Sequence, residues 1–181
     1  MIDEVTIEEC RKGNLNGFRK VVDYSSPLVF SMALRMLGDV DDATEITQET
    51  MITVWQEFGK LKSPASFRTW LYRIAVNKCY DEFRKRKRNP EKLADEQGWK
   101  LLNDRLSENP GIIAENNELA TVVVSLTEGL SPKQKVVFVL TDLEELSGEE
   151  VSRITGMTRF NVKSNLYYAR KKIGEQIKRY M

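Results

Sequence analysis

The 181-residue chain contains no histidine, which excludes a His-dependent catalytic triad. It has only two cysteines, Cys10 and Cys79, far apart in sequence. Without histidine beside them they are too few for a structural zinc site. Two reduced, partly buried thiols are expected rather than a disulfide. Gly-rich phosphate loops and Cys-x-x-Cys spacings are missing, so neither a cofactor nor a metal is expected. No run approaches the roughly 18 apolar residues that span a bilayer, so membrane insertion is not expected. The start, Met1-Ile2-Asp3-Glu4, has no basic end followed by an apolar run. No secretory signal is read there, and a cytoplasmic location is expected.

What is present is charge, strongly patterned beneath a net of only +1. Residues 60–88 carry ten basic side chains against two acidic ones, a net +8. Residues 158–181 carry seven against one, a net +6. Between them, residues 91–127 carry seven acids and three bases, a net −4. Two cationic blocks flanking an acidic stretch suit two separate contacts with one polyanion.

The apolar periodicity predicts an all-α chain. The β-branched clusters Val122-Val123-Val124 and Val136-Val137-Phe138-Val139 each sit inside a longer helical period. Thr6 with Glu9 offers a capping box for a first helix. Asp41 and Asp42 open a helix to about Phe58, and Ser63-Pro64 with Ser66 precede one from Phe67 to Arg86. Ser131-Pro132 with Gln134, and Ser147 with Glu150, give two further capping boxes; Gly156 is a natural stop. The organisation is bipartite: two small helical domains, 1–88 and 112–181, joined by a flexible linker. The linker, 89–111, is polar and broken by Asn89-Pro90, Gly98 and Asn109-Pro110-Gly111.

The C-terminal part reads as a helix–turn–helix. Val151 and Ile154 face inward from a short helix, Gly156-Met157 turns the chain, and Thr158 caps a second helix. There Val162, Leu166, Ala169, Ile173 and Ile177 form one apolar stripe, leaving Arg159, Asn161, Lys163, Ser164 and Asn165 exposed near the helix start. That is where a recognition helix reads base edges in the major groove. In the long basic helix, Trp70, Leu71, Ile74 and Cys79 suit a core. The remaining aromatics, Phe67, Tyr72, Tyr80 and Phe83, suit stacking on unpaired bases while the cations follow the backbone.

Several motifs resemble those of extracytoplasmic-function sigma factors of the sigma-70 family. Gly13-Asn14-Leu15-Asn16-Gly17-Phe18 is similar to the family's Gly-Asp-x-x-Ala-Phe opening, with Asn14 and Gly17 as departures. Asp42-Ala43-Thr44-Glu45-Ile46-Thr47-Gln48-Glu49-Thr50-Met51-Ile52-Thr53-Val54-Trp55 resembles the polymerase-binding helix. Trp70-Leu71-Tyr72-Arg73-Ile74-Ala75-Val76-Asn77, with Asp81 and Arg84, resembles the minus-ten-element helix. Leu130-Ser131-Pro132-Lys133-Gln134-Lys135 and residues 161–170 resemble the minus-thirty-five-element domain.

The resemblance implies a non-enzymatic subunit, a monomer when free, that binds core RNA polymerase and directs it to promoters. Residues 1–88 would be the sigma-two-like domain and 112–181 the sigma-four-like domain. Asp41, Asp42, Glu45, Gln48 and Glu49 would dock on the coiled coil of the polymerase's largest subunit, with the flap as a second polymerase contact. Lys60, Lys62, Ser66, Phe67 and Arg68 would surround a base flipped from the minus-ten element. Arg73, Asn77, Lys78, Asp81 and Arg84 would contact its neighbours. Thr158, Arg159, Phe160, Asn161, Lys163, Ser164, Asn165 and Arg170 would meet the minus-thirty-five element. An anti-sigma factor is the other implied partner.

Two rival readings fit less of the chain. A stand-alone helix–turn–helix repressor usually dimerises, yet no heptad seam is seen, and it needs no second cationic module. An enzyme acting on nucleic acid calls for a carboxylate cluster holding metal, whereas the acids here sit on helix faces beside apolar stripes. The linker also has a mechanical consequence. Fully drawn out it reaches roughly 75–80 Å; relaxed, its ends lie only about 25–30 Å apart. The free chain is therefore expected to collapse, with its cationic surfaces partly covered.

Overall fold

A computed structural model of the chain describes residues 2–61, 63–88 and 122–180, the side chains of residues 179 and 180 excepted. All regular structure among these residues is helical. The expected linker, 89–111, and the expected boundary at 112 lie outside the described residues.

Helix α1 (Glu4–Arg11) is capped by Asp3, whose Oδ1 accepts from the Thr6 N–H at 2.8 Å. Asp3 thus takes the capping place expected of Thr6, which lies buried in the first turn. The reason is apolar: Ile2 and Ile7 straddle Asp3 and are both buried in the core, a staple that fixes where the helix begins. Helix α2 (Leu15–Leu37) follows an Asn14 cap, contains Pro27 and ends at Gly38. Gly38 has φ 70, a left-handed conformation that favours glycine. Asp39 caps α3 (Val40–Glu57), so Asp41 and Asp42 occupy its first turn, beside the helix's positive end. Two 3₁₀ turns, Phe58–Lys60 and Pro64–Ser66, lead into α4 (Phe67–Arg88).

The C-terminal unit begins with a helical turn at 122–127, followed by α5 (Pro132–Phe138). Ser131 and Gln134 form both halves of the expected capping box. The helix then widens into a π-helical turn, Val139–Leu143, that nothing in the apolar spacing announces. Helix α6 (Gly148–Thr155) carries the second expected box, Ser147 with Glu150, and stops at Gly156, φ 70. Thr158 Oγ1 accepts from the Asn161 N–H at 3.2 Å and so caps α7 (Arg159–Tyr180).

One hydrophobic core runs through both units. It includes Val21, Val29, Met32, Val54, Leu71 and Val76 from the first, and Val136, Leu140, Val151 and Ile154 from the second. Burying each such side chain contributes about 1.5–3 kcal/mol relative to exposure. Helix α4 packs against α6, and α2 against the π-helical turn. A smaller cluster, Leu130, Ala169 and Ile173 with Leu126 and Phe138, seats α7. The apolar stripe of α7 ends there: Ile177, expected inside, is 42% exposed because it lies beyond that cluster.

Candidate nucleic-acid and polymerase interfaces

The acidic face of α3 is divided in two by its neighbour α4. Asp41, Glu45 and Gln48 are exposed, on the side opposite the buried Ile46, Met51 and Val54. Asp42 is half-buried and accepts a hydrogen bond from Arg86 Nη2, while Arg86 Nη1 donates to the Leu37 carbonyl at 2.8 Å. Glu49 is exposed but pairs with Lys78 Nζ at 3.2 Å. These pairs hold α4 against α3, so Asp42 and Glu49 serve the fold as well as the surface.

On α4 the expected minus-ten residues do not all face outward. Arg73 and Asn77 are exposed, one turn apart, and Asp81 and Arg84 continue their stripe while paired with each other. Lys60 pairs with Glu57 at 2.8 Å, and Ser66 Oγ donates to the Ser63 carbonyl at 2.8 Å. Lys62 lies outside the described residues. Phe67 is only 3% exposed, its ring 6.4 Å from that of Phe58 and 6.2 Å from that of Trp70, so it is a core residue here. The expectation of outward stacking aromatics also fails at Tyr72, which is fully buried, and at Tyr80 and Phe83, which pack on the core. Helix α6 packs against α4, and Phe58 and Trp70 pack on Phe67, neighbours that the period of one helix cannot reveal.

Arg68 turns toward the C-terminal unit. Its guanidinium lies 5.3 Å from the centre of the Tyr72 ring, and Nη2 donates to the Glu144 carbonyl at 2.9 Å. Nearby, the loop expected to hold a flipped base opens onto a groove. Lys60, Ser63, Ser66 and Arg73 line one side, and Ser147, Glu150 and Arg153 of the C-terminal unit line the other. Hydrogen bonds from Ser147 hold the Glu150 carboxyl below the usual carboxylate range, so a negative charge stands in this groove at neutral pH.

The start of α7 is the most open cationic surface. Arg159, Phe160, Asn161 and Lys163 are exposed, Phe160 to 79%. Arg159 Nη2 lies 2.7 Å from Glu149. Ser164 and Asn165 are half-buried, and Asn165 Nδ2 donates to the Asn161 carbonyl at 2.8 Å. Arg170 is exposed but held by Asp142, whose hydrogen bonds raise the guanidinium pKa above its ordinary value. Tyr167 and Tyr168 stand outward on the next turn, residues that sequence reasoning did not place in the interface.

Sequence reasoning also missed Glu144 and Lys135. Glu144 is 8% exposed and meets Arg35 and Tyr72 of the N-terminal unit. Burial, and then the Glu144 carboxylate, push the Tyr72 phenol above its usual range. Burial beside Arg86 lowers the Lys135 ammonium to about 8, with Glu128 as a weaker counterweight. These partners lie far away in sequence, so no local spacing signals them. Both cysteines are buried and free, and burial pushes the Cys79 thiol up to about 12. Among the described residues no group of three or more His, Cys, Asp and Glu is placed to hold a metal ion. No helix among them is long and apolar enough to cross a membrane.

Residues 21–89 match the family described as Sigma-70 region 2, and residues 122–173 that described as Sigma-70, region 4. The ECF RNA polymerase sigma factor SigW of Bacillus subtilis (strain 168) is 27% identical over 185 residues, spanning 98% of each chain. The ECF RNA polymerase sigma-E factor of Escherichia coli (strain K12) is 28% identical over 187 residues, spanning 98% of this chain and 95% of that one. Among solved structures, CnrH in complex with the cytosolic domain of CnrY matches with a TM-score of 0.70 at 21% identity, covering 98% of each chain. The sigma factor RpoE of Bartonella quintana, in complex with the anti-sigma factor NepR, matches with a TM-score of 0.65 at 21% identity, covering 89% of this chain and 96% of that one. With both regions present in order, and relatives of this kind aligned along nearly its whole length, the chain belongs to the sigma-70 family as a sigma factor of the extracytoplasmic-function type.

Proposed function

We propose a division of labour for a sigma factor that directs RNA polymerase to start transcription at particular promoters. The exposed acids Glu45 and Asp41 of α3, with the amide of Gln48, dock on a basic surface of the polymerase's largest subunit, the coiled coil. Arg73, Asn77, Lys78 and the cationic end of α4 follow the minus-ten element as it opens. The start of α7 enters the major groove at the minus-thirty-five element, where Arg159 and Lys163 suit guanine or phosphate and Asn161 suits adenine. The C-terminal unit also meets the polymerase flap.

The observation that carries this reading is the surface at the start of α7. A left-handed glycine turn and a Thr158 cap leave Arg159, Phe160, Asn161 and Lys163 all exposed at one helix end. No reaction of its own is assigned to the chain; it works in the cytoplasm, where polymerase and promoter are. An anti-sigma factor is the proposed negative regulator, in line with the complexes in which CnrH and the Bartonella RpoE were solved.

Run-off transcription with core polymerase, on promoters selected by the reconstituted holoenzyme, tests the proposal. Initiation from a defined start site that requires both elements is expected. Binding of the same DNA without any dependence on polymerase would instead indicate a repressor.

A further inference from the structure

We infer that the cleft between the end of α4 and the start of α5 is a binding site for a small amphiphilic anion, a carboxylate on an apolar chain, with its head group at Lys135. The site is independent of the promoter-reading role proposed for α4 and α7.

The cleft is built for an apolar body. Leu37 and Phe83 supply its surface from the N-terminal unit, Val124 and Pro132 from the C-terminal one. The two walls meet where Val124 stands against Gly38, so close that a Cβ on the glycine would lie 2.7 Å from the valine Cγ1. The space between them is about 460 Å³. Sites that take small molecules occupy roughly 300–1,000 Å³, favour boundaries between structural units, and combine apolar walls with a few polar groups.

The charge of the cleft selects the sign of the ligand. Arg86, Lys87 and Lys135 line it against a single acid, Glu128. The three cations are not equivalent. Arg86 is occupied, since it donates to the Leu37 carbonyl and to Asp42. Lys87 is exposed to water. Lys135 is half-buried, and among the described residues its ammonium has no hydrogen-bond or ion-pair partner. Burial and Arg86 weaken its hold on the proton, and Glu128 compensates only in part. A buried charge is ordinarily paired, because taking it from water alone is costly. A carboxylate gives Lys135 the partner that no described side chain provides, while the attached chain covers Leu37, Phe83, Val124 and Pro132. Inorganic phosphate would leave those walls in water, and acetate would cover almost none of them.

The test titrates decanoate, octanoate, hexanoate, acetate and inorganic phosphate into the full chain by calorimetry, below the concentration at which decanoate forms micelles. Wild type should bind one decanoate, with affinity falling about fourfold for each methylene removed. Acetate and phosphate should show no binding. Pairing with an anion raises the pKa of an ammonium. At pH 8, in buffers of different ionisation heat, binding should therefore take up about half a proton, because Lys135 is half-charged there; at pH 6 the uptake should vanish. Lys135→Met should weaken decanoate at least about tenfold and abolish the uptake. Lys133→Met, at an exposed lysine two residues away, should change neither. Absence of decanoate binding to wild type, binding without saturation, or equal affinity for the Lys135→Met variant overturns the site. Saturable binding to wild type with no proton uptake at pH 8 overturns Lys135 as the partner of the head group, whether or not the variant folds.

Discussion

Arg170 on α7 grips Asp142 in the π-helical turn through both Nε, at 2.9 Å, and Nη2, at 2.6 Å. The pair ties the recognition helix to the element that also packs against α2. It also engages a cation expected on promoter DNA. Asp142→Asn should release that cation and make the salt dependence of holoenzyme–promoter binding steeper by about one unit of slope. Arg170→Ala should leave the slope near the wild-type value and, as an exposed pair, cost at most about 1 kcal/mol of stability. Binding isotherms across a salt series read both.

Glu45 and Asp42 sit on the same helix but should fail differently. Glu45→Lys is expected to weaken core polymerase binding while urea unfolding shifts by less than about 0.5 kcal/mol, as for an ordinary surface position. Asp42→Ala removes a half-buried partner of Arg86 and should cost about 1.5–3 kcal/mol in unfolding, the range for hydrogen bonds to charged groups. Unchanged affinity of Glu45→Lys for core enzyme would remove α3 as the docking face.

At the start of α7, replacing Arg159 and Lys163 with alanine should weaken binding through the upstream element, by about 1–3 kcal/mol for each base that is no longer read. Phe160→Ala should leave stability within about 0.5 kcal/mol, because that ring has almost no packing to give up. Any drop in its promoter affinity then reports an interaction of the ring with DNA. Competition between promoter variants altered at single upstream bases identifies which positions each residue reads.

Lys135 gives the fold a dependence on pH. Its folded-state pKa of about 8 lies below the ordinary 10.5. Between these values the unfolded chain binds more protons than the folded one, so this group makes stability rise with pH across that window and holds it lower below about 8. Burial of Cys79, raised to about 12 from 9.0, acts oppositely above pH 9, so the informative comparison is wild type against Lys135→Met. The variant should be more stable at neutral pH by about 1–3 kcal/mol, and the difference should shrink toward pH 10. Lys87 and Arg86 of α4, with Glu128, line the same cleft as Lys135, and Glu128 is its weaker counterweight, so Glu128→Gln should enlarge the difference from Lys135→Met.

The helical architecture was legible wherever a local rule decides the structure. Ser131 with Gln134, Ser147 with Glu150, the Gly156 stop and the Thr158 cap all need only neighbours within a few residues. The first helix shows the limit of such rules: Asp3 and Thr6 both suit a cap, and the burial of Ile2 and Ile7 in the core decides between them. The candidate site was legible as charge, in the cations of α4 and the open start of α7. It was not legible as exposure. Phe67, Tyr72 and Tyr80 have the spacing of an amphipathic helix, but Phe67 packs on Phe58 and Trp70 of its own unit and Tyr72 reaches Glu144 of the second, neighbours that the period of a lone helix does not show. Ile177 errs the other way, continuing an apolar period past the side chains that bury it. Glu144 is the furthest from reach, since its donors stand 109 and 72 residues away.

That separation becomes a delay during synthesis. Tyr72 leaves the ribosome 72 residues before Glu144, roughly 4–14 s at about 5–20 residues per second. For that interval the first four helices exist with Tyr72 and Arg35 both lacking the Glu144 carboxylate. A newborn N-terminal half therefore passes through a short age in which it is stickier, and more open to polymerase and to chaperones, than the finished molecule will be in its free state.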